Sequence, residues 1–353
     1  MTVPAVSICI PVYNRVEQLE RALRSARAQT FADLEIVVVD NASTDGSHQV
    51  ALRHAAEDPR VRVERNDTVL DKPDNWRRTV ATARAPYLVL LFSDDWLAPQ
   101  AVQRLYSALD GRPDIAFAYC GMTWRLGEQT VRCYTAARPK DLGSTEFLYR
   151  SATLADLVPV TTSCVLLRTA DARGLMPERI PSRLDDDTHT IGIGYTGMLL
   201  WRCALRYPLV HRVGEELAFT ADQSTGEQNS RTRYRDRYEL LWWGHRNAVA
   251  HFVGADVHDP ALRLRLTSAL YVNTVPLRPG GPAVHGATFR RLFPGFGPSR
   301  LRLPGLRLLP WVLYRLLRAP DPVEILGPRP RRRTAPPRRP LAPRRTPTSG
   351  AEQ

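Results

Sequence analysis

The sequence predicts an α/β protein: a mostly parallel sheet with helices on both faces. Three observations carry that expectation. Short apolar runs alternate with helical patterns from the start of the chain. The second run, Ile36-Val37-Val38-Val39, is apolar without a break, as in a strand buried on both faces. The first, second and fourth runs each stop at polar, ligand-capable residues, and parallel sheets bind ligands at the carboxyl ends of their strands.

Val6-Ser7-Ile8-Cys9-Ile10 is the first strand, and Pro11-Val12-Tyr13-Asn14-Arg15 turns out of it. Leu19, Leu23 and Ala26 then recur at helical spacing in a segment whose other face is charged. The second strand follows at Leu34 and stops at Asp40-Asn41-Ala42-Ser43-Thr44-Asp45-Gly46, a run of turn chemistry. Val61-Arg62-Val63-Glu64 is a short third strand. The fourth, Tyr87 to Ser93, runs into the pair Asp94-Asp95. Adjacent like charges are costly to bury unless something neutralises them. A hard divalent cation does so, and oxygen-only ligation suits Mg2+ or Mn2+. The same two residues also suit a cap for the helix opening near Pro99.

Residues 6–15 (SICIPVYNRV), 34–46 (LEIVVVDNASTDG) and 87–99 (YLVLLFSDDWLAP) together resemble the successive signatures of family 2 glycosyltransferases of the GT-A fold. The resemblance covers the first 125 residues well and the next hundred loosely. It implies transfer of a sugar from a nucleoside diphosphate to an acceptor hydroxyl, with inversion. By position, Pro11, Tyr13 and Arg15 flank the nucleotide, and Asp40 accepts a hydrogen bond from the base N–H. Asp95 becomes the ligand of Mn2+ or Mg2+, and Asp94 contacts the ribose or supports the metal. Relatives often carry a further acid where this chain has Phe92. Asn75 fits the Asn that opens the next helix in relatives, although their glycines are absent from Asp71-Lys72-Pro73-Asp74. Lys72 and Arg78 could add charge for a phosphate at that helix start.

The resemblance also asks for a carboxylate to take the acceptor's proton. Counting back from the helix around Leu199–Leu205, the family's acid falls near Tyr195-Thr196, where this chain has none. The nearest candidates are Asp185, Asp186 and Asp187, with His189 as runner-up. Asp222 stands where relatives place a His near the metal, and it is equally a turn residue.

These features divide the chain into a GT-A domain (1–226), a helical C-terminal extension (227–319) and a disordered Pro/Arg-rich tail (320–353). Residues 300–353 hold thirteen Arg against three acids, a net +10 of the chain's +13. The remaining 299 residues carry only +3, which argues against specific nucleic-acid binding. The apolar, basic segment 301–318 suits a membrane surface or packing on the domain, and the tail suits contact with anionic lipid. No leader-like or membrane-spanning run is visible, and five scattered cysteines read as buried thiols. The expected location is therefore cytoplasmic, with membrane association at the inner face. Two other functions stay open. A sugar nucleotidyltransferase lacks its glycine-rich basic loop here, and a dinucleotide-binding enzyme lacks its G-x-G-x-x-G. A binding or scaffold protein on a decayed transferase domain draws support from the missing acid at Thr196.

Overall fold

The computed structural model of the chain describes residues 3–126, 129–135, 138–152, 158–182, 189–222 and 238–274. The first half alternates as expected: Val6–Val12 (β1), Val16–Arg27 (α1), Leu34–Asp40 (β2), Ser47–Glu57 (α2), Val61–Arg65 (β3), Lys72–Thr82 (α3) and Tyr87–Leu90 (β4). Then come Asp95–Leu97 (β5), Ala101–Leu109 (α4), Ile115–Leu126 (β6), Gln129–Cys133 (β7), Lys140–Gly143 (β8) and Ser144–Ala152 (α5). Val165–Arg168 (β9), Thr169–Leu175 (α6), Tyr195–Arg206 (α7) and Leu209–Asp222 (β10) complete the sheet region. Two helices, Tyr238–Ala255 (α8) and Pro260–Thr274 (α9), follow within the expected extension.

The strands form one sheet in the order β3-β2-β1-β4-β9-β6-β10-β5, with β7 beside β6 and β8 beside β10. The quartet β3-β2-β1-β4 is wholly parallel, and β6 runs parallel to β10. β9 enters antiparallel between β4 and β6 and joins the two halves. Every residue of β1 and β2 is buried, which is why these strands read as unbroken apolar runs. Two of the three polar residues in them, Ser7 and Glu35, satisfy each other. The Ser7 hydroxyl donates to the buried Glu35 carboxylate at 2.6 Å, and that carboxylate also accepts the Arg84 N–H at 2.6 Å.

α1 buries Leu19, Ala22, Leu23 and Ala26 against the sheet, matching the stripe read from the sequence. α8 packs on α7, and α9 packs on α8 and α5. All five cysteines are buried free thiols. Among the described residues no helix is long and apolar enough to cross a membrane. The segment 301–318 and the Pro/Arg tail lie outside the described residues.

One expected element is shorter than its apolar run suggests. β4 stops at Leu90: the Leu91 N–H still donates to Cys9 O of β1 at 2.9 Å, but the groups on either side of it bond elsewhere. Thr162 Oγ1 donates to Leu90 O at 3.1 Å, and the Phe92 N–H donates to Ser163 Oγ at 3.1 Å. A turn closed by Asp95 N–H to Phe92 O (2.9 Å) then starts β5 at Asp95 itself. The two acids therefore sit on a turn between strands. They do not cap α4, whose N-cap is Gln100.

Candidate functional site

The carboxyl ends of β1 and β2 are laced together by the turns that leave them. Asn14 adopts a left-handed φ of 48°, and its side-chain oxygen accepts the Thr44 N–H at 2.8 Å. The Asn14 N–H donates to Ser43 Oγ, Arg15 N–H to Ser47 Oγ and Val16 N–H to Asp45 Oδ2, all within 3.0 Å. α1 has no side-chain cap of its own, so Ser47 and Asp45 from the second turn satisfy its first N–H groups. The cluster Ser43-Thr44-Asp45 is turn chemistry serving two turns at once.

Asp40 ends β2 with no exposed surface. Its Oδ1 accepts the Ser43 N–H at 3.1 Å. Its Oδ2 has no hydrogen-bond partner, with Arg65 Nη1 and His48 Nδ1 each 3.5 Å away. A buried carboxylate oxygen that lies near a guanidinium yet is unbonded is an acceptor held ready for an N–H. Tyr13 stands exposed on the adjacent turn, while Pro11 is buried in β1 opposite Val39.

Beneath this edge lies an amide network that sequence reading missed in part. Asn66, just after β3, donates from Nδ2 to Asn41 Oδ1 (2.7 Å) and to Asn75 Oδ1 (2.9 Å). Asn41 also exchanges both of its amide bonds with the Leu70 backbone, at 2.8 and 2.9 Å. All three asparagines are buried. Asn75 is thus placed at the start of α3 as anticipated, but its oxygen faces the network. Asn66 had only turn-like neighbours in the sequence, and no local signal marks it.

Asp94 and Asp95 have opposite surroundings. Asp94 is half-exposed and pairs with Arg15, Nη1 to Oδ2 at 2.6 Å. Its carbonyl accepts Arg21 Nη2 at 2.9 Å, and the Arg21 guanidinium lies 4.2 Å over the Trp96 ring. Asp95 is 5 % exposed and lies opposite Thr220 of β10. Burial, and then the neighbouring Asp94 charge, push its carboxyl up to about 7, against hydrogen bonds from the Ser163 and Thr220 hydroxyls. An all-oxygen set around one buried acid, whose charge a cation would stabilise, fits Mg2+ or Mn2+. Arg21, Ser163 and Thr220 are the residues sequence reading did not single out. They come from a charged helix face and two β-rich segments that only the fold brings to the acids.

The segment before α7 is built differently. Asp185, Asp186 and Asp187 lie outside the described residues. Thr196, where the resemblance asks for an acid, donates its hydroxyl to Val160 O at 2.8 Å and is 8 % exposed. His189 Nδ1 is hydrogen-bonded to the Tyr195 hydroxyl, and its Nε2 stands 3.5 Å from Asp71 Oδ2. Asp71, Asp74 and His189 bring ligand atoms within 4.8 Å of one another, although Asp74 also accepts from Arg77 Nη2 at 2.7 Å. Gly192, at φ +74°, lets this loop close on Trp76, where a Cβ would lie 2.5 Å from the indole. Trp76 in turn rests 4.9 Å from the Phe92 ring, which ties the loop to the acidic turn. Asp222 closes β10 in register with Leu126, and Arg78 is exposed.

Comparison with known proteins gives the same assignment. The family described as Glycosyl transferase family 2 matches residues 7–155. Over 114 residues the chain is 37% identical to the abequosyltransferase of Salmonella typhimurium, covering 31% of this chain and 34% of that protein. It is 38% identical over 102 residues to the chondroitin synthase of Escherichia coli, covering 29% of this chain and 15% of that one. The chain thus spans about a third or less of these curated relatives. Among solved structures, TarS 1–349 of S. aureus in complex with UDP superposes with a TM-score of 0.55 at 14% identity, over 87% of this chain and 78% of that one. The mannosyltransferase PcManGT of Pyrobaculum calidifontis, in complex with GDP-Man and Mn2+, gives 0.51 at 16% identity, over 92% and 84%. The topology, the order of the three motifs and these matches agree: residues 7–155 match the Glycosyl transferase family 2 domain, on a sheet of the GT-A fold.

Proposed function

We propose that the chain transfers a sugar from a nucleoside diphosphate to an acceptor hydroxyl, with inversion, in a metal-dependent reaction. The observation that carries this reading is the edge formed by β2, β1 and the Asp94-Asp95 turn. It offers an unbonded buried acceptor at Asp40 and a buried acid at Asp95 whose charge needs a cation. Asp40 accepts the base N–H, while Tyr13 and the Pro11 turn border the base. Arg15 and Asp94 border the diphosphate and ribose, and the Asn66–Asn75 amides hold this edge from below. Mn2+ or Mg2+ held by Asp95 would stabilise the charge gathering on the departing diphosphate. One acid of Asp185, Asp186 and Asp187 takes the proton of the acceptor hydroxyl on the far side of the sugar. Contact with the inner membrane face through residues 301–318 and the basic tail would suit a lipid-linked acceptor.

A thermal-shift screen of UDP, GDP, dTDP and their sugars, each with Mn2+ and with EDTA, tests the reading. A metal-dependent rise in melting temperature with one nucleotide, lost in Asp95→Ala, supports it. A second reading, a binding protein on the same fold, draws on Thr196 being turned into a backbone hydrogen bond where the family keeps an acid. Nucleotide binding without any donor turnover would favour it.

A further inference from the structure

α3, α6 and α7 border a cavity of about 380 Å3 whose lining includes Arg77, Val80, Arg173, Met176, Glu178 and Arg202. Three guanidinium groups, one from each helix, meet there, and each is anchored on one side only. Arg77 Nη2 donates to Asp74 Oδ1 at 2.7 Å, while its Nε is buried with no hydrogen-bond partner. Arg173 spends Nη2 on the Ala81 and Ala83 carbonyls at the end of α3, and among the described residues it forms no ion pair. Arg202 donates from Nε to Asp256 Oδ2 at 3.0 Å and from Nη1 to Leu175 O at 3.2 Å. A guanidinium carries five N–H donors, so all three keep donors in reserve.

Asp74 and Asp256 answer two of these charges, and Arg173 is left over. Glu178, the one carboxylate on the lining, is 88% exposed and stands 3.9 Å from Arg77 Nη1, too far for a hydrogen bond. A tetrahedral oxyanion can accept from three guanidinium planes at once, whereas a carboxylate has only two oxygens to share. The volume is far above the ~30 Å3 of one water, so a phosphate can enter with the first atoms of the group that bears it. Arg77 follows Asn75 by two positions, about 200° round the helix. α3 therefore turns Asn75 to the proposed donor edge and Arg77 to this cavity. We propose that the cavity binds a phosphate ester, at a site separate from that edge and independent of what the edge holds.

The test is calorimetric titration of the full-length protein with inorganic phosphate, glycerol 3-phosphate and acetate in metal-free buffer. Wild type should bind both phosphates, and acetate about tenfold more weakly for want of a third oxygen. Arg173→Gln should lose roughly five- to tenfold in phosphate affinity, the effect of one charged hydrogen bond at a partly exposed site. Glu178→Gln removes the one competing carboxylate of the lining, so phosphate should bind roughly two- to threefold more tightly. That opposite shift, at an exposed position, carries the test should Arg173→Gln fail to fold. Asp95→Asn should bind phosphate as wild type does. Sedimentation with phosphatidylcholine vesicles, with and without phosphatidic acid, separates the two sources of the ester. A loss of phosphatidic-acid binding in Arg173→Gln assigns the phosphate to a lipid headgroup, and unchanged vesicle binding assigns it to a soluble ester. Wild type that binds no phosphate, or binds acetate equally well, overturns the inference. So does phosphate affinity that neither Arg173→Gln nor Glu178→Gln moves, or that Asp95→Asn abolishes.

Discussion

The proposed donor edge and the proposed acceptor side of the molecule are built in contrasting ways. On the donor edge, Asp40, Asn41, Asn66 and Asn75 come from β2, the turn after β3 and α3, and interlocking hydrogen bonds fix each in place. On the acceptor side, the loop before α7 is held by shape, with Gly192 against Trp76 and Gly194, at φ +85°, against Ala248. Thr196 is spent on a backbone carbonyl. The contrast teaches where specificity is built. A rigid edge suits an invariant nucleotide diphosphate, and a loop seated by packing can change its acceptor without disturbing the sheet.

The strongest break of that contrast is Asp95→Asn. It should abolish metal-dependent nucleotide binding, measured as the Mn2+-dependent thermal shift. It should also stabilise the metal-free protein. The Asp95 carboxyl is raised to about 7, so between pH 4 and 7 the folded group keeps a proton that the unfolded one has lost. Stability therefore falls as pH rises through that window, and the full cost, on the order of 4 kcal/mol, remains above it. In EDTA at pH 8 the variant should melt above wild type, and the two should converge below pH 4. A variant that melts lower at pH 8 would mean that Asp95 is a structural acid and that the donor edge is not built around a cation.

Next in size is Asp40→Asn. The change keeps an oxygen for the Ser43 N–H but puts an N–H pair where Oδ2 now waits for a donor. Nucleoside diphosphate affinity should fall roughly ten- to hundredfold, the value of a charge-assisted hydrogen bond plus the clash of two donors. Stability should change little by comparison. Equal affinity for the nucleotide by calorimetry would take Asp40 out of base recognition.

Asn66→Ala sharpens the comparison from below. It leaves Asn41 Oδ1 with one bond fewer and removes the Asn66 bond to buried Asn75 Oδ1. Loss of about 2–3 kcal/mol in urea unfolding is expected, together with weaker nucleotide binding as the edge loosens. Lost stability with unchanged nucleotide affinity would show that the edge does not depend on this network.

These sites differ in how far the sequence revealed them. The positions of Asp40 and Asp95 were legible because each follows an apolar run, and the parallel sheet places such residues on one edge. The end of β4 was not, because Thr162 and Ser163 draw its last backbone groups away from more than 70 residues along the chain. Arg21 read as one more charge on the solvent face of α1, since nothing local foretells its stack on Trp96. Asn66 was hidden for a related reason, as its partners lie 25 and 9 residues away in opposite directions. Hydrophobic period reports burial, whereas these residues are set by tertiary polar bonds that have no period.

The smallest expected effect falls on the acceptor side, where Thr196→Val tests whether the missing acid left any chemistry behind. Valine keeps the volume of this 8 % exposed side chain but cannot donate to Val160 O. The unbonded carbonyl should lower stability by about 1 kcal/mol, near the usual value of one neutral hydrogen bond. Donor turnover should stay within twofold of wild type, because a hydroxyl bonded to the main chain takes no proton from an acceptor. A more than tenfold loss of kcat with an unchanged melting temperature would place Thr196 in the machinery. The acceptor side would then be built as tightly as the donor edge, and the contrast between them would fail.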